Sequence, residues 1–126
     1  MMTPIYAALL AFLYVFLSAR VINLRLKYQV GIGDGEHKLL ARAIRVQGNF
    51  GEYVPFALVL LWMYESMNGA PLMVNILGSV LCVGRLLHAY GVSQAKETLL
   101  YRQAGMVMTF VVMLLCSASI LIKYVS

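Results

Sequence analysis

The chain has 126 residues, 62% of them hydrophobic and 12% charged, with a formal net charge of +5. A water-soluble domain of this size needs far more charge to cover its surface, so a soluble globular fold is excluded. No DNA- or RNA-binding motif accompanies the basic excess, which excludes a nucleic-acid surface as its explanation.

The apolar residues come in blocks instead of the short alternation of a sheet protein. A helix needs about 20 mostly apolar residues to cross about 30 Å of hydrocarbon. The first block, Thr3–Ile22, meets this alone. No Lys or Arg precedes Arg20 and no small-residue cleavage site is evident, so it reads as a retained helix over residues 3–25. The connection that follows is strongly basic and is broken by Gly31-Ile-Gly-Asp-Gly35. From Glu36 the spacing of Leu39, Leu40, Ala43 and Ile44 is helical again. It predicts one continuous helix over residues 37–67, taking in the apolar block Tyr53–Met67. Pro55 interrupts it, and Gly51, four residues earlier, leaves room for the proline ring, which predicts a kink and not a break.

Asn68-Gly-Ala-Pro71 makes a tight turn, after which Leu72–Leu87 supplies a third helix over residues 71–91. The third connection, Ser93–Thr98, contains Lys96 and Glu97, and Ala104–Ile122 gives a fourth helix over residues 100–123. The expected architecture is therefore all-α: a single domain over residues 1–126 forming an integral membrane four-helix bundle. Cys82 and Cys116 lie inside apolar blocks without metal-ligand or CxxC spacing and read as small core residues, and no metal site is expected.

Of the ten Lys and Arg residues, nine fall around the first and third connections, and Lys123 alone belongs to the other end. Short loops rich in Lys and Arg stay in the cytoplasm, which places both termini on the non-cytoplasmic side.

The informative stretch is Arg42-Ala-Ile-Arg45-Val-Gln47-Gly-Asn49-Phe-Gly-Glu52-Tyr53-Val-Pro55. Arg42, Arg45, Asn49 and Glu52 share one helix face at intervals of 3, 4 and 3. Charged groups at membrane depth cost about 2.5–3.5 kcal/mol each even on the lenient insertion scale, so they persist when paired or when they hold a polar ligand. Two readings follow: an internal Arg45–Glu52 salt bridge, or a binding site built from the same residues. The third helix adds Arg85 and His88 one turn apart, the fourth begins with Tyr101-Arg102, and the first ends with Arg20 and Arg25. Asp34, Glu36 and Glu97 lie in or near loops, leaving Glu52 as the main embedded acid, so this end of the bundle is suited to receive an anion.

Arg45-x-Gln47-x-Asn49-x-x-Glu52-Tyr53-x-Pro55 and Gly84-Arg85-x-x-His88 resemble the pattern of the MAPEG family, the membrane-associated proteins in eicosanoid and glutathione metabolism. Its members include microsomal glutathione transferases, leukotriene C synthase and microsomal prostaglandin E synthase. With Gly31-x-Gly-Asp-Gly35, the chain is most similar to uncharacterised bacterial members, which implies a bacterial inner membrane. The resemblance covers nearly the whole chain and implies a homotrimer with glutathione held between neighbouring subunits. It implies that Arg45, Asn49, Glu52 and Tyr53 hold the glutathione backbone and carboxylates, with Gln47 nearby. Arg25 would contribute from the first helix, Arg85 and His88 would line the pocket, and Arg102 would stabilise the thiolate as the catalytic residue.

The function implied is a membrane glutathione transferase, with a peroxidase as its related chemistry, acting on hydrophobic electrophiles dissolved in the lipid bilayer. The chain departs from the family transferases one turn after His88, where Val92 stands in place of an aromatic residue and Tyr90 lies two residues earlier. The competing class is a non-catalytic lipid-binding or partner-presenting protein of the same fold, since family membership does not fix catalysis. A drug–proton antiporter of similar size needs an unpaired carboxylate deep in the membrane, and the first helix contains no acid.

Overall fold

The computed structural model describes residues 1–96 and 99–126; Glu97, which the sequence places among the loop acids, lies outside the described residues. Four helices follow in order: α1 (Thr3–Tyr28), α2 (Lys38–Ser66), α3 (Pro71–Ser93) and α4 (Leu99–Val125). The chain is all-helical among the described residues.

α1 runs past residue 25 to Tyr28, because nothing breaks the pattern before Gln29, which takes a left-handed conformation (φ 55°). Val30 N–H then bonds Arg25 O at 3.0 Å, closing the helix end. The loop turns through Gly33 and Gly35, both at positive φ (73° and 56°), where a side chain is disfavoured. Tyr28 stacks on His37 with ring centroids 3.9 Å apart, tying the end of α1 to the start of α2.

α2 continues unbroken through Pro55. Gly51 faces the Tyr14 ring of α1, where a Cβ would lie at ordinary contact distance, 3.4 Å from the hydroxyl. Its buried residues, Leu40, Ala43, Val46, Phe50, Val54, Ala57, Leu61 and Tyr64, step by 3 or 4 and form one stripe facing the core. α1, by contrast, buries Thr3, Leu10 and Leu17, one residue every seven, and exposes Phe12, Val15 and Phe16. An outer surface this apolar belongs against lipid.

α1, α3 and α4 are long and apolar enough to cross a membrane. Four such helices are expected from the sequence. α2 falls short by composition, since Lys38, Arg42, Arg45 and Glu52 occupy its first half.

α3 and α4 pack closely through glycine. A Cβ on Gly105 would stand 2.5 Å from Gly84 O and 2.7 Å from His88 Cβ, so only hydrogen fits. In lipid, where burial of apolar surface drives little helix association, such close approach supplies the packing energy. At the end of the bundle that carries the α2–α3 turn, Glu65 accepts hydrogen bonds from Thr3 N–H at 2.8 Å and from Met2 N–H. Lys123 Nζ donates to Asn68 O there at 3.3 Å. The α1–α2 and α3–α4 connections, with most of the basic residues, lie at the opposite end.

Candidate functional site

The first half of α2 presents Lys38, Arg42 and Arg45 along one flank, and α4 brings Arg102 to them from its first turns. With Ala41, Val92 and Ala95 these four cations line a cavity of about 410 Å³. Arg42 Nη1 donates to Val92 O at 3.0 Å. Val92 sits in the last turn of α3, where carbonyls lack intrahelical donors, so Arg42 both satisfies that helix end and fixes its own direction.

Arg45 Nη1 lies 3.4 Å from Glu52 Oε1, two turns on, and both side chains are 55% exposed. Gly48 stands between them: a Cβ there would be 3.4 Å from Arg45 Nη1 and 3.9 Å from Glu52 Oε1. A methyl group at Gly48 would therefore fit at ordinary contact distance from the pair. Tyr53, half-buried, meets Phe110 of α4 edge-on at 5.5 Å, just beyond Glu52 on α2.

A second cluster is interior. Arg85 is 1% exposed and His88 2%. Arg85 Nη2 donates to Asn49 Oδ1 at 2.6 Å, and Nη1 to Thr109 Oγ1 at 3.4 Å. Its guanidinium also sits 5.7 Å from the Phe50 ring centroid. One side chain of α3 thus joins α2 and α4. Thr109 Oγ1 in turn donates to Gly105 O at 2.8 Å, inside the glycine contact that seats His88.

The remaining candidates lie apart from both groups. Gln47 Nε2 points to α1, 3.4 Å from both Tyr14 OH and Ser18 Oγ. Arg25 Nη1 donates to Gly33 O at 2.8 Å and Val30 O at 3.3 Å, bracing the first loop. Within one chain, then, Arg45 and Arg102 share the basic cavity, with Glu52 bonded to Arg45 on its flank. Asn49, Arg85 and His88 are drawn into the bundle, and Gln47 and Arg25 face elsewhere. Lys38 and Thr109 complete these arrangements and do not stand out in the sequence. The interval of 4 from Lys38 to Arg42, and a threonine on α4 four residues after Gly105, are the available signals.

The chemistry on offer is that of cations converging on one cavity, in which guanidinium groups grip carboxylates two bonds at a time. Among the described residues, no group of three His, Cys, Asp or Glu side chains is placed to hold a metal ion. Cys82 and Cys116 are both unbridged thiols.

Comparison with known proteins agrees with this architecture. Residues 3–122 match the MAPEG family. The chain is 42% identical over 116 residues to the inner membrane protein YecN of Escherichia coli, covering 91% of this chain and 86% of that protein. It is also 38% identical over 96 residues to the uncharacterized protein sll1147 of Synechocystis sp., covering 71% of this chain and 66% of that one.

Proposed function

The chain belongs to the MAPEG family, and from that premise we propose that it is an integral inner-membrane glutathione transferase whose thiol substrate binds in the basic cavity. The observation that carries this reading is the cavity of about 410 Å³ in which Lys38, Arg42, Arg45 and Arg102 meet. Glutathione carries two carboxylates, one ammonium and one thiol, and three guanidinium groups, with Glu52 paired to Arg45 at their flank, match that set of charges.

Arg45 binds a glutathione carboxylate, and Glu52 exchanges part of its contact with Arg45 for the ammonium. Arg102 stabilises the sulfur. A free thiol has a pKa of about 8.5 and is mostly protonated at neutral pH. Lowering that value by about two units takes about 2.7 kcal/mol of preferential thiolate stabilisation. One positioned cation supplies an effect of that size in a pocket that a neighbouring copy closes to water. The thiol proton passes to water, the sulfur lone pair forms a bond to the electrophilic carbon, and the leaving group departs with its bonding electrons. The electrophile is hydrophobic and arrives from the lipid. In the peroxidase variant the thiolate attacks the outer oxygen of a lipid hydroperoxide, the O–O bond breaks and the alkoxide leaves to be protonated by water. A second glutathione then reduces the resulting sulfenic acid to the disulfide with loss of water.

The protein acts as a homotrimer in this reading. The Arg45–Glu52 pair is 55% exposed on each side chain although it lies on a helix that enters the membrane. A neighbouring copy packed on the α2–α4 flank removes that pair from lipid and completes the glutathione site. Both termini lie on the non-cytoplasmic side, opposite the basic connections, as the excess of Lys and Arg in short cytoplasmic loops requires.

The test is conjugation of glutathione to a reactive aryl halide by the purified protein in detergent, with a thermal shift titration by glutathione alongside. Binding to the folded state alone raises stability by mass action, about 2.7 kcal/mol at a hundred times Kd. Absence of any shift at millimolar glutathione overturns the proposal.

A further inference from the structure

Apart from the basic cavity, with which it shares no lining residue, a seam between α1 and α3 is open. One hollow of about 290 Å³ is lined by Arg20, Tyr90, Ser93 and Gln94 together with Phe16 and Leu86. A second, of about 250 Å³, is lined by Leu9, Leu10 and Cys82. Leu13 and Leu86 line both, so the two hollows form one groove that is polar at its Arg20 end and apolar beyond it.

Arg20 Nη1 donates to Ser93 Oγ at 2.8 Å. A guanidinium carries five N–H donors in a rigid fork, so one contact to a neutral hydroxyl leaves most of its capacity unused. Among the described residues no carboxylate lines the groove. Ser93 Oγ donates its own proton to Ala89 O, which directs its lone pairs towards Arg20. From Arg20 to Leu9 the α1 axis rises about 16 Å, since each helical residue adds about 1.5 Å. That is about half of a hydrocarbon core of about 30 Å, or one leaflet.

We propose that this groove is a binding site for an anionic phospholipid. The phosphate sits on Arg20 with Gln94, and one acyl chain lies past Leu13 and Leu86 to Cys82. A free phosphate answers the charge of Arg20 but not the apolar length behind it. A zwitterionic head group brings a cation to a site that already holds one. The occupant is thus a lipid with a net negative head, taken from the leaflet that faces the basic connections.

The test uses the full chain in non-ionic detergent and native mass spectrometry. The probes are phosphatidylglycerol, phosphatidylcholine and glycerol phosphate. One phosphatidylglycerol per chain is expected, at concentrations where neither other probe is retained. Arg20→Gln lowers its retention about fivefold and Arg20→Lys restores much of it, the effect of one basic residue beside an anionic surface. Leu86→Trp, at a side chain already largely exposed and so tolerant of a larger ring, blocks the groove and abolishes retention. Equal retention of phosphatidylcholine, displacement by glycerol phosphate, or wild-type retention by both Arg20→Gln and Leu86→Trp overturns the proposal. The glutathione thermal shift, read on the same variants, stays at the wild-type value, so the outcome is independent of the transferase reading.

Discussion

Arg85 Nη2 donates to Asn49 Oδ1 at 2.6 Å in the middle of the bundle, and the arginine is 1% exposed. Its contacts to Thr109 Oγ1 and the Met106 sulfur are also to neutral acceptors. A buried cation held by neutral acceptors depends heavily on each of them, because losing one leaves desolvated charge unmet.

Asn49→Ala is therefore expected to destabilise the fold by about 1.5–3 kcal/mol, the range for a hydrogen bond to a charged group. Arg85→Met together with Asn49→Ala is expected to cost less than the sum of the single changes, since each removes the other's reason. A double-mutant cycle by denaturant unfolding in detergent measures the coupling. Strict additivity sinks the idea that the two act as one unit.

The Arg45–Glu52 pair behaves differently. Within one chain it is an exposed pair, and such pairs contribute about 0–1 kcal/mol. Glu52→Gln is expected to leave the unfolding of an isolated chain nearly unchanged while weakening glutathione binding at least about tenfold, the order of one charge contact. It also weakens assembly, read by native mass spectrometry. Unchanged binding and assembly remove Glu52 from the site.

Arg102→Ala is expected to lower kcat by about 10²–10³-fold while glutathione affinity falls only a few-fold, as for loss of one group aimed at developing charge. The rate rises with pH as the thiol ionises. Removing a stabilising cation moves that rise upward, towards the free-thiol value of about 8.5. A pH–rate profile of wild type and variant displays the shift. If the two profiles superimpose, Arg102 is a binding group and not the one that stabilises sulfur.

Packing supplies a contrasting pair. Gly105→Val puts carbon within 2.5 Å of Gly84 O and is expected to cost more than about 2 kcal/mol or to prevent folding, as overpacking does. Gly31→Ala meets nothing within 4 Å and is expected to stay within about 0.5 kcal/mol of wild type. Thermal unfolding followed by circular dichroism checks both.

The apolar blocks carried the all-helical architecture in plain sight, and α1, α3 and α4 follow from length and hydropathy alone. α2 was the harder element. Its first half is charged and contains Pro55, and its helical state rested on the spacing of Leu39, Leu40, Ala43 and Ile44. Spacing also put Arg42, Arg45, Asn49 and Glu52 on one face, yet in the structure Asn49 turns to Arg85 while Arg45 turns outward to Glu52. A face is about 100° wide, and which of its edges meets which helix is set by neighbours far away in sequence. Arg25 makes the same point. Its place near the end of the first helix says nothing of Gly33 O, which a looping chain brings within 2.8 Å of it. The role of Gly105 is hidden for the opposite reason, since what matters there is the side chain it lacks.

The clasp of Glu65 on Thr3, beside that of Lys123 on Asn68, brings the outermost turns of α1 and α4 to a single rim. A reporter or affinity label joined near either one hangs from that rim, at the full height of the bundle from the arginines. Two copies can also be strung in tandem by a short linker that never has to traverse the bilayer, which allows an altered copy to be held beside an unaltered one in a single chain.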